Sequence, residues 1–471
     1  MEEYGKMPDL EGPITRREIL KKGIIGAAGL TVLPAVVAAC SSSSSTPTAA
    51  PTPAPTAAAG TPGPTIVPSP TAPNYAGRTL TIWDYESADS AMGQSWAAAV
   101  DTFKATHPGV TVTHEAKAFE DIQSNASLIL NSNAAPDVME YNKGNATAGL
   151  LSTQGLLTDL TSVATKRGWD KILTPSLQTT CKYSSKGIMG GDKWFGVTTY
   201  GEYVMVYYNQ DMFTKYNVAV PKTLADFEAA MDTFVKAGIT PVATGGAEYT
   251  AQQIFYQLVL AKADRQFIND YEMYANAVDF HDAALTFGAT EFAKWMKNGY
   301  LTKNEVSLTA QQAGDAFLAG KNPIFPTGSW WYGSFITEIT KFKWGIFLFP
   351  GNTLAPGSSG NIWVVPSGSK NADLAEDFID ITLTTPVQNI MGRAGGLPVA
   401  ADATAITDPA LQTFNQNFQT LLKNDGLAFY PDWPVAGFYN VLVSNVQNLM
   451  NGQDPSKFLD SLATAYNAGK P

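Results

Sequence analysis

From Arg78 onward, apolar and polar side chains keep two rhythms in turn. Arg78-Thr-Leu-Thr-Ile-Trp83 alternates, which predicts a strand, and the polar stretch Asp84–Ser90 predicts a turn. Trp96, Val100 and Phe103 then fall at helical spacing up to Thr106, and His107-Pro108-Gly109 stops the run. Val110–His114 alternates again, Phe119–Asn131 returns to the helical period, and Ala135–Glu140 predicts a third short strand. Strands alternating with helices predict a largely parallel α/β sheet, whose ligands sit beyond the carboxyl ends of the strands. Asp84 and Glu86, and further on Tyr141, fall at those ends. Gly196–Tyr208 reads as one long strand with polar residues in its middle, a length that suits a crossing between two lobes. Thr223 with Asp226 three residues on predicts a capped helix running to Lys236, ended by Gly238.

The first 77 residues keep neither rhythm. Arg16, Arg17, Lys21 and Lys22 precede an apolar run, Gly23–Ala39, that ends in small residues before Cys40. Charge, short apolar run and small-residue cut site predict a signal peptide over 1–39. Gly26, Gly29 and Pro34 interrupt the run, which falls short of the ~20 strongly apolar residues of a spanning helix. Val37-Ala-Ala-Cys40 resembles a lipobox, in which Cys40 becomes the lipidated first residue, and Thr15–Lys21 resembles a twin-arginine export motif with Ile19 where Phe is common. The competing reading is a plain signal peptide with an incidental cysteine. Residues 40–77 are Ser, Thr, Pro and Ala with little else; such a segment cannot bury enough apolar surface to offset its ordering entropy, so a disordered stalk is expected.

Composition narrows the body. A net charge of −11 argues against a nucleic-acid partner. With Cys40 assigned, Cys181 has no intramolecular partner and is expected to be a structural thiol. His107, His114 and His281 lack metal-ligand spacing, and no Gly-rich phosphate loop or Gly-x-Ser-x-Gly elbow is present, so neither metal, cofactor nor catalytic residue is expected. The chain holds 10 Trp and 19 Tyr, all but two of the tyrosines in the body, and their flat apolar faces and polar handles suit sugar rings. For any single aromatic, core packing is the competing reading.

The stretch Trp194-Phe-Gly-Val197, Val206-Tyr-Tyr-Asn-Gln-Asp-Met-Phe213 and Val220-Pro-Lys-Thr-Leu-Ala-Asp-Phe227 resembles the extracellular solute-binding proteins of ABC importers, family 1, the maltose- and oligosaccharide-binding relatives. Gln210, Leu224 and Asp226 depart from that family's usual Lys, Trp and Glu. Ala316–Lys321, Pro326–Tyr332, Gly360–Pro366, Ala372–Leu383, Gly396-Leu-Pro398 and Asp454–Ala468 continue the likeness in order, from about Arg78 to the end. The resemblance implies an α/β fold of the periplasmic-binding-protein-like type II class, two α/β lobes joined by crossing strands. It divides the body into 78–200 and 347–400 for lobe 1, and 201–346 and 401–471 for lobe 2, with crossings near Tyr200 and Phe347.

It also implies a ligand cleft. Tyr141 is then a stacking platform of the first lobe, with core packing the even alternative. Glu202 is a hinge-proximal acid; a charge in mid-strand favours a polar cleft over a surface position. Glu248 and Tyr249 stand on the second-lobe wall, although an acid at a helix start is common for dipole reasons alone. Trp330 and Trp331 are the strongest pair, since flanking glycines strain a core explanation for adjacent indoles. Asp84 and Glu86 either accept sugar hydroxyls or are solvated turn residues. Asn361 and Trp363 lie on a short strand of undetermined parity, and Phe438 and Tyr439 match a late aromatic. The expected partners are a carbohydrate, the permease subunits of an ABC transporter and the membrane through Cys40, for a chain acting as a monomer. The alternatives are an extracellular glycosidase using Asp84, Glu86 and Glu202, or the same fold binding a non-sugar solute.

Overall fold

A computed structural model describes residues 75–470. The export signal, Cys40 and nearly all of the stalk lie outside the described residues.

The predicted alternation opens the first sheet. In β1 (Thr79–Asp84), Leu80, Ile82 and Asp84 face inward and the intervening positions do not. Helix Ala91–Thr106 follows and buries Trp96, Val100 and Phe103, but it begins before the apolar rhythm does, because the Ser90 hydroxyl accepts from the Gly93 amide and caps it. β2 (Thr111–Ala116) and β3 (Val138–Tyr141) flank β1 in parallel. A small ribbon, β4 (Lys182–Tyr183) with β5 (Lys193–Trp194), precedes the crossing segment.

That segment is two strands. β6 (Val197–Thr198) belongs to the first sheet, and β7 (Gly201–Asn209) is the centre of a second. The break falls at Thr199–Tyr200, and Gly201 just after it has no room for a side chain: a Cβ there would lie 2.2 Å from the Phe418 ring. The second sheet adds β8 (Ile324–Gly328), β9 (Trp344–Phe347) and β10 (Gly357–Ser359), each antiparallel to β7. The chain returns to the first sheet through β11 (Ile362–Val364), which lies antiparallel between β3 and β6. The return therefore falls at Gly360–Asn361, later than the expected Phe347. Gly357–Ser359 is small and polar and carries no strand signal in the sequence, which is why this last strand of the second sheet is hard to foresee. The two passages touch: the Gly360 amide donates to the Tyr200 carbonyl at 2.6 Å, and a Cβ on Gly360 would meet the Tyr200 ring at 2.3 Å.

Two apolar clusters hold the body together. The first sheet, its helices and one face of the second sheet share one, in which Tyr203 meets Phe414 and Tyr207 meets Phe335 at 4.9 Å. Val206, Phe213 and Phe227 share the other with helices Tyr249–Leu260, Ala283–Asn298, Phe438–Met450 and Pro455–Gly469. Leu411, Phe414, Phe418 and Leu421 join the first cluster, and the change to the second comes at Ala428–Val435, later than residue 401. Helix Leu224–Lys236 starts with the predicted capping box between Thr223 and Asp226. Cys181 is fully buried, and burial pushes its thiol up to about 12, as a structural thiol requires. No described helix is long and apolar enough to cross a membrane.

Candidate functional site

The carboxyl ends of β1 and β3, the two passages between the sheets, and a late loop at Tyr430–Trp433 converge. At their centre is Lys143, two residues beyond β3 and buried, whose ammonium pairs with Glu202 and donates to the Asn361 side chain at 3.0 Å. Glu202 is on β7 just past the first passage, and Asn361 sits in the second. The Asn361 amide donates to the Tyr200 hydroxyl at 3.0 Å, which donates to Glu140 at 3.0 Å; the Trp96 indole reaches the other Glu140 oxygen at 3.1 Å. One buried polar chain thus ties the first lobe to both passages. Burial, then the neighbouring Glu86 and Asp84 charges, hold the Glu140 carboxyl well above the usual range. The Lys143 ammonium also lies 5.3 Å from the Trp433 ring and 5.6 Å from Tyr430.

Beside this centre, Asp84 is buried and meets His114 at 2.5 Å, and its other oxygen accepts the Glu86 amide. Glu86 accepts from Ser90, and burial with the Asp84 charge pushes it up to about 8. Tyr141 is buried, and burial raises its phenol. Beyond Tyr430, the Tyr249 hydroxyl accepts from the indoles of Trp330 (3.1 Å) and Trp331 (3.3 Å). These adjacent indoles part company. Both are half-buried, but Trp330 folds over Gly328 and faces Tyr249 and Tyr430, whereas Trp331 lies over Gly314 between Phe325 and Phe335. Tyr439 donates to Glu120 at 2.8 Å, joining a late helix to one that follows β2, and the Trp433 carbonyl accepts the Ala146 amide.

Other expected residues have core or capping roles here. Trp363 is buried between Trp96 and Phe378, because β11 is covered on both faces and strand parity cannot select a cleft side. Phe438 is fully buried against Tyr466. Glu248 accepts the first amide of helix Ala310–Leu318 at 2.7 Å, which is an end-capping arrangement. Sequence reasoning missed Lys143, Glu140, Glu120, Tyr430, Asp432 and Trp433. Lys143 carried a signal, lying just past a strand's carboxyl end; the Tyr430-Pro-Asp-Trp433 loop carried only its aromatic content. The assembled cluster sets aromatic rings beside buried carboxyls, an ammonium and an amide.

The family model for the bacterial extracellular solute-binding protein matches residues 87–389. The diacetylchitobiose binding protein DasA of Streptomyces coelicolor is 25% identical over 69% of this chain and 74% of its own length. A maltooligosaccharide ABC transporter solute-binding lipoprotein of Streptococcus pneumoniae is 25% identical over 45% of this chain and 50% of its own. Among solved structures, SBP RafE in complex with raffinose superposes with a TM-score of 0.66 at 18% identity, covering 83% of this chain and all (100%) of that one. At that identity the likeness is one of fold, and it is the two-lobed, periplasmic-binding-protein-like type II architecture.

Proposed function

The chain belongs to the bacterial extracellular solute-binding protein family, and from that membership we propose that it captures a carbohydrate, an oligosaccharide, between its lobes and delivers it to the permease of an ABC importer. The observation that carries this reading is the convergence of Trp330, Tyr249 and Tyr430 on the Lys143–Glu202 centre, where the chain passes from lobe to lobe. Stacking faces on one lobe and hydrogen-bonding groups at the hinge let a ligand favour the closed arrangement, which is what drives closure. The ligand-contacting residues in this reading are Glu86, Tyr141, Glu202, Tyr249, Trp330, Asn361 and Tyr439 of those expected, with Lys143, Tyr430 and Asp432 added. The lobes are divided at Tyr200 and Gly360.

The protein acts without catalysis in this reading. A glycosidase needs a free carboxyl pair flanking the bond, whereas Glu202 is engaged by Lys143 and Asp84 by His114. Calorimetry and tryptophan fluorescence across a panel of mono- and oligosaccharides test the proposal. Micromolar or tighter binding, with the sugar recovered uncleaved, is expected; silence across the panel would sink it.

Cys40 anchors the chain to the outer face of the membrane in the same reading, and the Ser/Thr/Pro/Ala segment is a tether that raises the effective concentration of the body near its permease. Cys40→Ser is expected to move the protein from the membrane to the soluble fraction with unchanged ligand affinity. Retention of the variant on membranes would remove the lipid-anchor assignment.

A further inference from the structure

The charge around the Tyr430–Trp433 loop is one-sided. Asp432 is buried there, and the charges acting on it are Lys143, then Glu120 and Glu202. Lys143 is already engaged by Glu202 and Asn361. Burial pushes the Asp432 carboxyl up to about 7. Glu272, fully buried on helix Arg265–Met273, has no hydrogen bond to either carboxylate oxygen among the described residues, and the charge acting on it is Asp432. The Tyr430 hydroxyl, on a residue 5% exposed, is turned toward Glu202, and Glu202 and Asp432 are the first charges acting on it.

Glu272, a buried carboxyl without a hydrogen-bond partner among the described residues and under the influence of Asp432, marks a place where a donor is missing. A neutral hydroxyl supplies a donor but does nothing to favour the ionised form of these carboxyls, which burial and their mutual charge disfavour. An ammonium supplies several donors together with the opposite charge, and charge-assisted hydrogen bonds are the stronger kind. The rings of Tyr430 and Trp433 already face one ammonium, that of Lys143, so the surroundings suit a second cation of the same kind. An anionic sugar would meet repulsion at the same place. The described residues form no group of three or more His, Cys, Asp or Glu able to hold a metal ion, which favours an organic cation.

We propose that the carbohydrate taken up in the cleft carries a protonated amino group, seated at the Tyr430–Asp432 end with Glu272 behind it. This rests on the carbohydrate reading above and narrows it to amino sugars. The test is calorimetry on the full chain with a deacetylated glucosamine oligomer, its N-acetylated counterpart of the same length, and a neutral glucose oligomer of the same linkage, all at low salt. The amino oligomer is expected to bind at least about tenfold more tightly than either of the others. Asp432→Asn is expected to lower affinity for the amino oligomer by about tenfold, and Glu272→Gln to lower it in the same direction. Equal or tighter binding of the acetylated or neutral oligomer overturns the amino-sugar assignment and leaves the carbohydrate reading standing. Absence of binding by all three, and by the wider panel, overturns both. Spermidine binding as tightly as the amino oligomer would overturn the requirement for a sugar ring.

Discussion

Replacing Lys143 by methionine is expected to destabilise the protein by ~3–5 kcal/mol, because it leaves the Glu202 carboxylate buried without its cation. The cost comes mainly from the group left behind. Removing the acid as well, in Lys143→Met with Glu202→Gln, is therefore expected to recover more than half of the loss, since a buried pair replaced together is often close to neutral. Urea unfolding of the two variants beside the parent separates the cases. If the double variant is as unstable as the single one, the ion pair is not what holds this centre. Lys143 also binds Asn361 in the second passage, so the single variant should loosen the contact between lobes as well as the fold.

Trp330→Ala is expected to lower sugar affinity by about a hundredfold, the effect of losing a central aromatic anchor worth ~2–3 kcal/mol. The same change at its neighbour acts elsewhere. Trp331, half-buried, packs over Gly314 between Phe325 and Phe335, so Trp331→Ala is expected to cost ~1–3 kcal/mol of folding stability. Calorimetry and urea unfolding on both variants give a crossed pattern: affinity falls most for Trp330→Ala, stability most for Trp331→Ala. Sugar binding by Trp330→Ala at parental strength would remove this indole from the site. A shared loss of both properties in both variants would mean that the pair acts as one structural unit through Tyr249, to which both donate.

The contrast between these neighbours shows where local pattern stops informing. Their glycine flanks set the pair apart from ordinary core, yet only the placing of helix Ala310–Leu318 beside β8 gives Trp331 Gly314 and Phe325 as neighbours while Trp330 faces Tyr249 and Tyr430. Trp363 teaches the same lesson in a strand. Alternation separates two faces, but β11 lies between β3 and β6 with both faces covered, so alternation has no exposed side to report. Glu202 was legible for a physical reason: a charge between apolar neighbours in a strand must find a polar partner. Which partner it finds was not legible.

By itself the sequence determined the alternation of strands and helices, the capped helix at Thr223, and the order of motifs that places the chain in its family. These are local quantities, since side-chain period and capping chemistry depend on residues a few positions apart. The cleft is of another kind. Lys143 and Asn361 meet across 218 positions, Glu120 and Tyr439 across 319, and Tyr200 reaches Glu140 across 60. No periodicity spans such distances. Only when the two passages at Tyr200 and Gly360 are brought into contact do the acids, the lysine and the aromatic loop share one volume. There, burial and mutual charge, rather than residue type, set what each of them can bind.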